Sequence, residues 1–140
     1  MRTLLLLGVV ALAGCGTIAN TEFDNVEAGR YVDVAVASRL LADECSKHDR
    51  VFESLPTLNY LVAGAYKYSA LKTNNSRIAE AGKILASQVA DLNIRYTTGQ
   101  PSQSYCSIKL AGIADGAEMV ARSLGKKELE SPVAIKKEDT

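Results

Sequence analysis

Between Tyr31 and Leu124 the apolar side chains return at steps of mostly three and four residues, and three breaker clusters interrupt the pattern. A helix that turns one face inward needs that period. No strand-like alternation lasts more than four residues, and Tyr31–Val36 is the one ambiguous stretch. The first stripe runs through Val34, Ala37, Leu41, Cys45, Val51, Phe52 and Leu55. Pro56 suits a first helical turn and not an interior, so a restart is expected there. The second stripe carries Leu58, Leu61, Val62, Ala65 and Tyr68 toward Leu71, and Thr73-Asn74-Asn75-Ser76 supplies turn and cap residues. The third runs Ile78, Ala81, Leu85, Val89, Leu92 and Tyr96 as far as Thr97–Pro101. The fourth runs Cys106, Leu110, Ile113, Ala117, Val120 and Leu124, with Gly125-Lys126-Lys127 as its expected stop. Helices of about 15–25 residues with short connections predict an all-α four-helix bundle, up-down-up-down, over residues 31–125. Ten Gly and three Pro are too few for an all-β chain with its many turns.

Ahead of the bundle, Arg2 precedes an apolar run from Leu4 to Ala13. That run is about half the length a membrane-spanning helix needs, and it reads as an export signal. It closes on Leu12-Ala13-Gly14-Cys15, which resembles the lipobox of bacterial lipoproteins. The resemblance implies a signal peptide over residues 1–14 and acylation of Cys15. With Gly16 next, and no Asp there, it also implies an address at the outer membrane, facing the periplasm. Residues 15–30 are polar and small and are expected to form a lipidated tether; residues 126–140 are expected to be a charged flexible tail. In an oxidising envelope the two remaining cysteines, Cys45 and Cys106, read as one intramolecular disulfide. The bridge closes a loop of about 60 residues, worth about 4 kcal/mol in the chain-entropy model. Up-down-up-down order puts Cys45, late in the first helix, and Cys106, early in the fourth, at the same end.

Lys and Arg together number 16, as do Asp and Glu, so nucleic acid has no electrostatic footprint to bind. His48 is the only histidine and stands among Ser46, Lys47, Asp49 and Arg50, where a solvated role is expected. Asp43 and Glu44 are adjacent and diverge on a helix, so they make no carboxylate pair. The sequence lacks a C-x-x-C, clustered metal ligands, a nucleophile motif and a phosphate loop. No enzyme, cofactor, metal or small-molecule substrate is therefore expected. Small residues are abundant instead, in Ala63-Gly64-Ala65, Ala81-Gly82, Ala111-Gly112 and Gly116-Ala117. They serve either close helix packing or a groove that takes a partner's amphipathic helix. The groove reading assigns Leu58, Leu61, Val62 and Leu85 to the partner; under the packing reading the same residues are core.

The stretch Ala37-Ser38-Arg39-Leu40-Leu41-Ala42-Asp43-Glu44-Cys45-Ser46, and Ile94-Arg95-Tyr96 through Thr98-Gly99-Gln100-Pro101 to Tyr105-Cys106, join the lipobox in a wider likeness. The chain resembles the all-helical pilotins of type II secretion, of the PulS/OutS type. His48-Asp49-Arg50 stands where that family has an acidic-Pro turn, and the family's Gly-Trp between the second and third helices is absent. The resemblance implies a lipoprotein that binds the C-terminal segment of a secretin and carries it to the outer membrane. The alternative is an envelope immunity or exclusion lipoprotein that blocks a toxin, phage or plasmid component.

Overall fold

The structure, a computed structural model, describes residues 24–72 and 75–130, with side chains to residue 125. The signal at 1–14, Cys15 and the last ten residues of the tail lie outside the described residues. Four helices follow one another: α1 Asn25–Asp43, α2 His48–Ala70, α3 Ser76–Thr98 and α4 Gln103–Glu130. α1 packs on α2 and α4, and α3 packs on the same two, while the diagonal pairs stay apart. The result is the expected up-down-up-down ring. At one end of it Cys45 and Cys106 are bonded, with their Cα atoms 5.8 Å apart.

Three boundaries differ from the sequence reading. The first and second helices do not meet at Pro56, which lies inside α2. An interior proline costs about 3 kcal/mol. Here its ring faces solvent, so the Phe52 carbonyl it leaves without an amide partner can turn to water, while Val51, Leu55 and Leu58 hold the helix to the core. The actual break is the turn Glu44–Lys47, closed by backbone bonds from Glu44 N to Leu41 O and from Lys47 N to Glu44 O. Lys47 caps α2 without any side-chain bond, so no cap residue announces the start of that helix. α1 also begins well inside the expected tether. Asp24 is its N-cap, accepting from the amides of Val26 and Glu27, and Asn25 to Arg30 are helical. At the other terminus Gly125 does not stop α4, which continues to Glu130.

The core is aliphatic through its middle, with Leu55, Leu92, Leu110, Ile113 and Val89 sealed from solvent. Toward the end where α1 begins it becomes a column of bonded polar groups. Tyr31 is fully buried; its hydroxyl lies 3.0 Å from Ser69 Oγ on α2 and donates to the Ile78 carbonyl on α3 at 3.4 Å. Burial pushes this phenol above its ordinary pKa, so it keeps its proton. Gly82 makes room for it. A Cβ there would collide with the Tyr31 hydroxyl and stand 3.1 Å from the Tyr66 Cα, so α3 lies almost backbone to backbone against α2. One turn along α1, the Glu27 carboxylate, also fully buried, accepts from Asn75 Nδ2 at 2.7 Å and lies 3.3 Å from the Lys72 ammonium. Asp24 accepts from the Tyr68 hydroxyl at 2.6 Å and from Lys72. Such pairing offsets most of the cost of burying these groups, while Glu27 Oε1 and Asn75 Oδ1 are buried without a partner among the described residues.

Two outcomes test this account. Gly82→Ala gains about 1 kcal/mol of helix propensity, yet it should lower stability by about 1–3 kcal/mol through overpacking. Gly112→Ala meets open space and should stabilise, and paired thermal melts distinguish the two. The Lys72 ammonium and the Tyr68 hydroxyl hold the Asp24 carboxyl well below the usual carboxylate range. A depressed folded pKa stabilises the fold above the unfolded value, about 4, and that contribution fades as pH falls through the folded value. In denaturant titrations Asp24→Asn should be less stable than wild type near neutrality, and the difference should shrink as the pH falls below about 4.

Candidate functional site

Leu58, Val62 and Leu85, expected to line a groove on α2 and α3, are core residues, each no more than 4% exposed. Leu61 is partly buried and packs on the same core. Gly82 brings α3 so close to α2 that no helix fits between them. The small residues thus serve packing at Gly82 and also at Gly116, where an added Cβ would stand 2.9 Å from Leu85 Cδ2. His48, expected in solvent, is half-buried instead and stacks on Tyr96 at 4.8 Å between ring centroids. Among the described residues no group of three or more metal-ligating side chains comes together.

The feature that calls for a partner lies on α1. Its inward face buries Tyr31, Val34, Ala35 and Leu41, as a bundle helix should. Its outward side carries a second apolar row among charged neighbours: Val32, Val36 and Leu40 follow one another at four-residue steps and are 47%, 52% and 64% exposed, with Asp33, Arg39 and Asp43 exposed beside them. α2 and α3 expose large apolar side chains too, Phe52 and Tyr60 on α2 and Ile84 and Ile94 on α3, but these pairs stand eight and ten residues apart and form no continuous row of large aliphatic side chains. A contiguous exposed apolar surface marks an interaction site more often than scattered residues do.

Beside this stripe, α1 and α2 frame an open cleft of about 310 Å³, lined by Ala37, Leu40, Leu41, Ser54, Thr57 and Leu58. Leu40 belongs to both stripe and cleft and joins them into one surface. Glu44 closes one end; the Lys47 ammonium, 2.8 Å away, holds its carboxyl below the ordinary value. On the other flank Arg39 reaches α4, pairing with Asp115 at 3.0 Å and with Glu118, which also holds Arg122. These pairs are exposed and add little stability, but they frame the apolar stripe with charge.

A second cleft, about 370 Å³, lies at the α3–α4 turn and is lined by Arg95, Thr98, Gln100, Ser102 and Tyr105. Its lining is more polar than that of the α1–α2 cleft, and Arg95 and Lys109 each rest on the Tyr105 ring. The α1 surface suits an apolar helix better. A signal for it exists in the sequence: Val32, Val36 and Leu40 form a second stripe out of phase with Val34, Ala37 and Leu41, and that doubling makes Tyr31–Val36 look ambiguous. No protein-family model, no curated protein and no solved structure matches the chain.

Proposed function

We propose that the protein is an outer-membrane lipoprotein, acylated on Cys15 and facing the periplasm, that docks an amphipathic helix of a protein partner on α1. On the pilotin resemblance the partner in this reading is the C-terminal segment of a secretin, which folds on the domain and travels with it to the outer membrane. One observation carries the docking reading: α1 presents the apolar row Val32, Val36 and Leu40 to solvent, continuous with the cleft at Leu40. The address rests on Leu12-Ala13-Gly14-Cys15. Among the described residues no helix is long and apolar enough to cross a membrane, and in this reading the lipid is the anchor.

A partner helix would lay residues spaced three and four apart along Val32, Val36 and Leu40. Burying one such side chain contributes about 1.5–3 kcal/mol, so a charge there should cost at least about tenfold in affinity. Leu40→Asp is the informative variant, since Leu40 already faces water and its loss leaves the core intact. The circular dichroism and melting temperature of Leu40→Asp should match wild type, while its binding to a synthetic secretin C-terminal peptide falls at least about tenfold. Unchanged binding removes α1 as the surface, and a wild type that ignores the peptide removes the secretin. For the address, Cys15→Ser should leave an unprocessed precursor that incorporates no labelled palmitate. Label that persists on the variant assigns the lipid elsewhere.

A further inference from the structure

The two ends of the bundle differ. The disulfide closes one, where the exposed acids Asp43, Asp49 and Glu53 are interspersed with the exposed bases Lys47, Arg50 and Arg95. At the other, the first turn of α1 meets the last turn of α2 and the first turn of α3. Leu71, the C-cap of α2, is there 84% exposed, more than any other large apolar side chain among the described residues. Lys67, one turn back on α2, and Arg77, in the first turn of α3, are exposed at the same end. Among the described side chains its acids are mostly spent inside: Glu27 is fully buried and Asp24 is occupied by Lys72 and Tyr68, while Glu80 is exposed.

An exposed leucine alone means little. Its position relative to the chain gives it meaning. Eight residues lie between Cys15 and Asp24, so the nine steps span at most about 30 Å, comparable to the length of α1 itself. A lipid on Cys15 therefore confines this end near the bilayer, where weak contacts become effectively intramolecular. We infer that this end seats on an anionic membrane surface: Leu71 enters the boundary between headgroups and acyl chains, and Lys67 and Arg77 meet lipid phosphates. The inference rests on acylation of Cys15. Seated in this way, the bundle stands on the membrane with the disulfide end and the Leu40 cleft directed away from it.

The chain has no tryptophan, so Leu71→Trp and Ile108→Trp each install a single emitter, one at each end of the bundle. The full acylated chain is placed in phosphatidylethanolamine vesicles containing phosphatidylglycerol, and flotation is run in parallel. The Leu71→Trp emission should shift to the blue and be quenched by brominated acyl chains, while Ile108→Trp emits as in water. Adding Lys67→Glu and Arg77→Glu to Leu71→Trp should cut the seated-to-free ratio at least about tenfold. Protein that floats with an unshifted Leu71→Trp emitter overturns the seating and leaves the Cys15 anchor standing. Protein that does not float overturns the anchor and the seating together. Equal quenching at both ends, or a shift that grows with protein concentration without vesicles, also overturns the seating, the latter in favour of self-association.

Discussion

The hydroxyl of Tyr31 has to be bonded. A phenol sealed from solvent and unpaired would cost several times what a bonded one contributes, so Ser69 and the Ile78 carbonyl must stand where it points. Those partners lie on two different helices, and the ring reaches them only because Gly82 has no side chain. One side chain of α1 thereby sets the register of α2 and α3 on each other. The aliphatic middle of the core tolerates exchange among residues of similar volume, as cores in general do. The column Tyr31–Glu27–Asp24, with its partners Ser69, Asn75 and Lys72, is directional and does not.

α1 is thus fastened at both ends, by that polar column where it begins and by the Cys45–Cys106 bridge just past where it stops. Between the fastenings its inward face is core and its outward face is bare. A helix held in this way is preorganised, so a partner that folds on it pays the ordering cost alone. The proposed docking role needs such a platform: a stiff apolar stripe that does not rearrange, beside a cleft able to take one or two side chains. Exposed Arg39, Asp115, Glu118 and Arg122 supply a polar rim along one side. Rim charges of this kind steer a partner and fix its register more than they strengthen its binding.

The helical period and the breaker clusters at Thr73–Ser76 and Thr97–Pro101 specified the last two helices, Pro56 gave the right number of helices from the wrong boundary, and, with Cys15 read as lipid-bearing, Cys45 and Cys106 specified the covalent bond between the α1–α2 turn and α4. These are legible because periodicity and breakers are local properties of the chain, and because two cysteines allow only one pairing. The end of the first helix was not legible. Lys47 offers no cap, and Pro56 sends a stop signal that α2 overrides by turning the ring to water. Asp24 was a cap in plain view, masked by the polar composition around it. The roles of Leu58, Val62 and Leu85 against Leu40 lie deeper. All four are apolar residues at helical spacing, and only the packing of neighbours makes three of them core and one surface. Sequence by itself determined that α1 carries two apolar stripes; tertiary structure decided which one the bundle covers, because burial is a property of what stands opposite a side chain and not of the side chain itself.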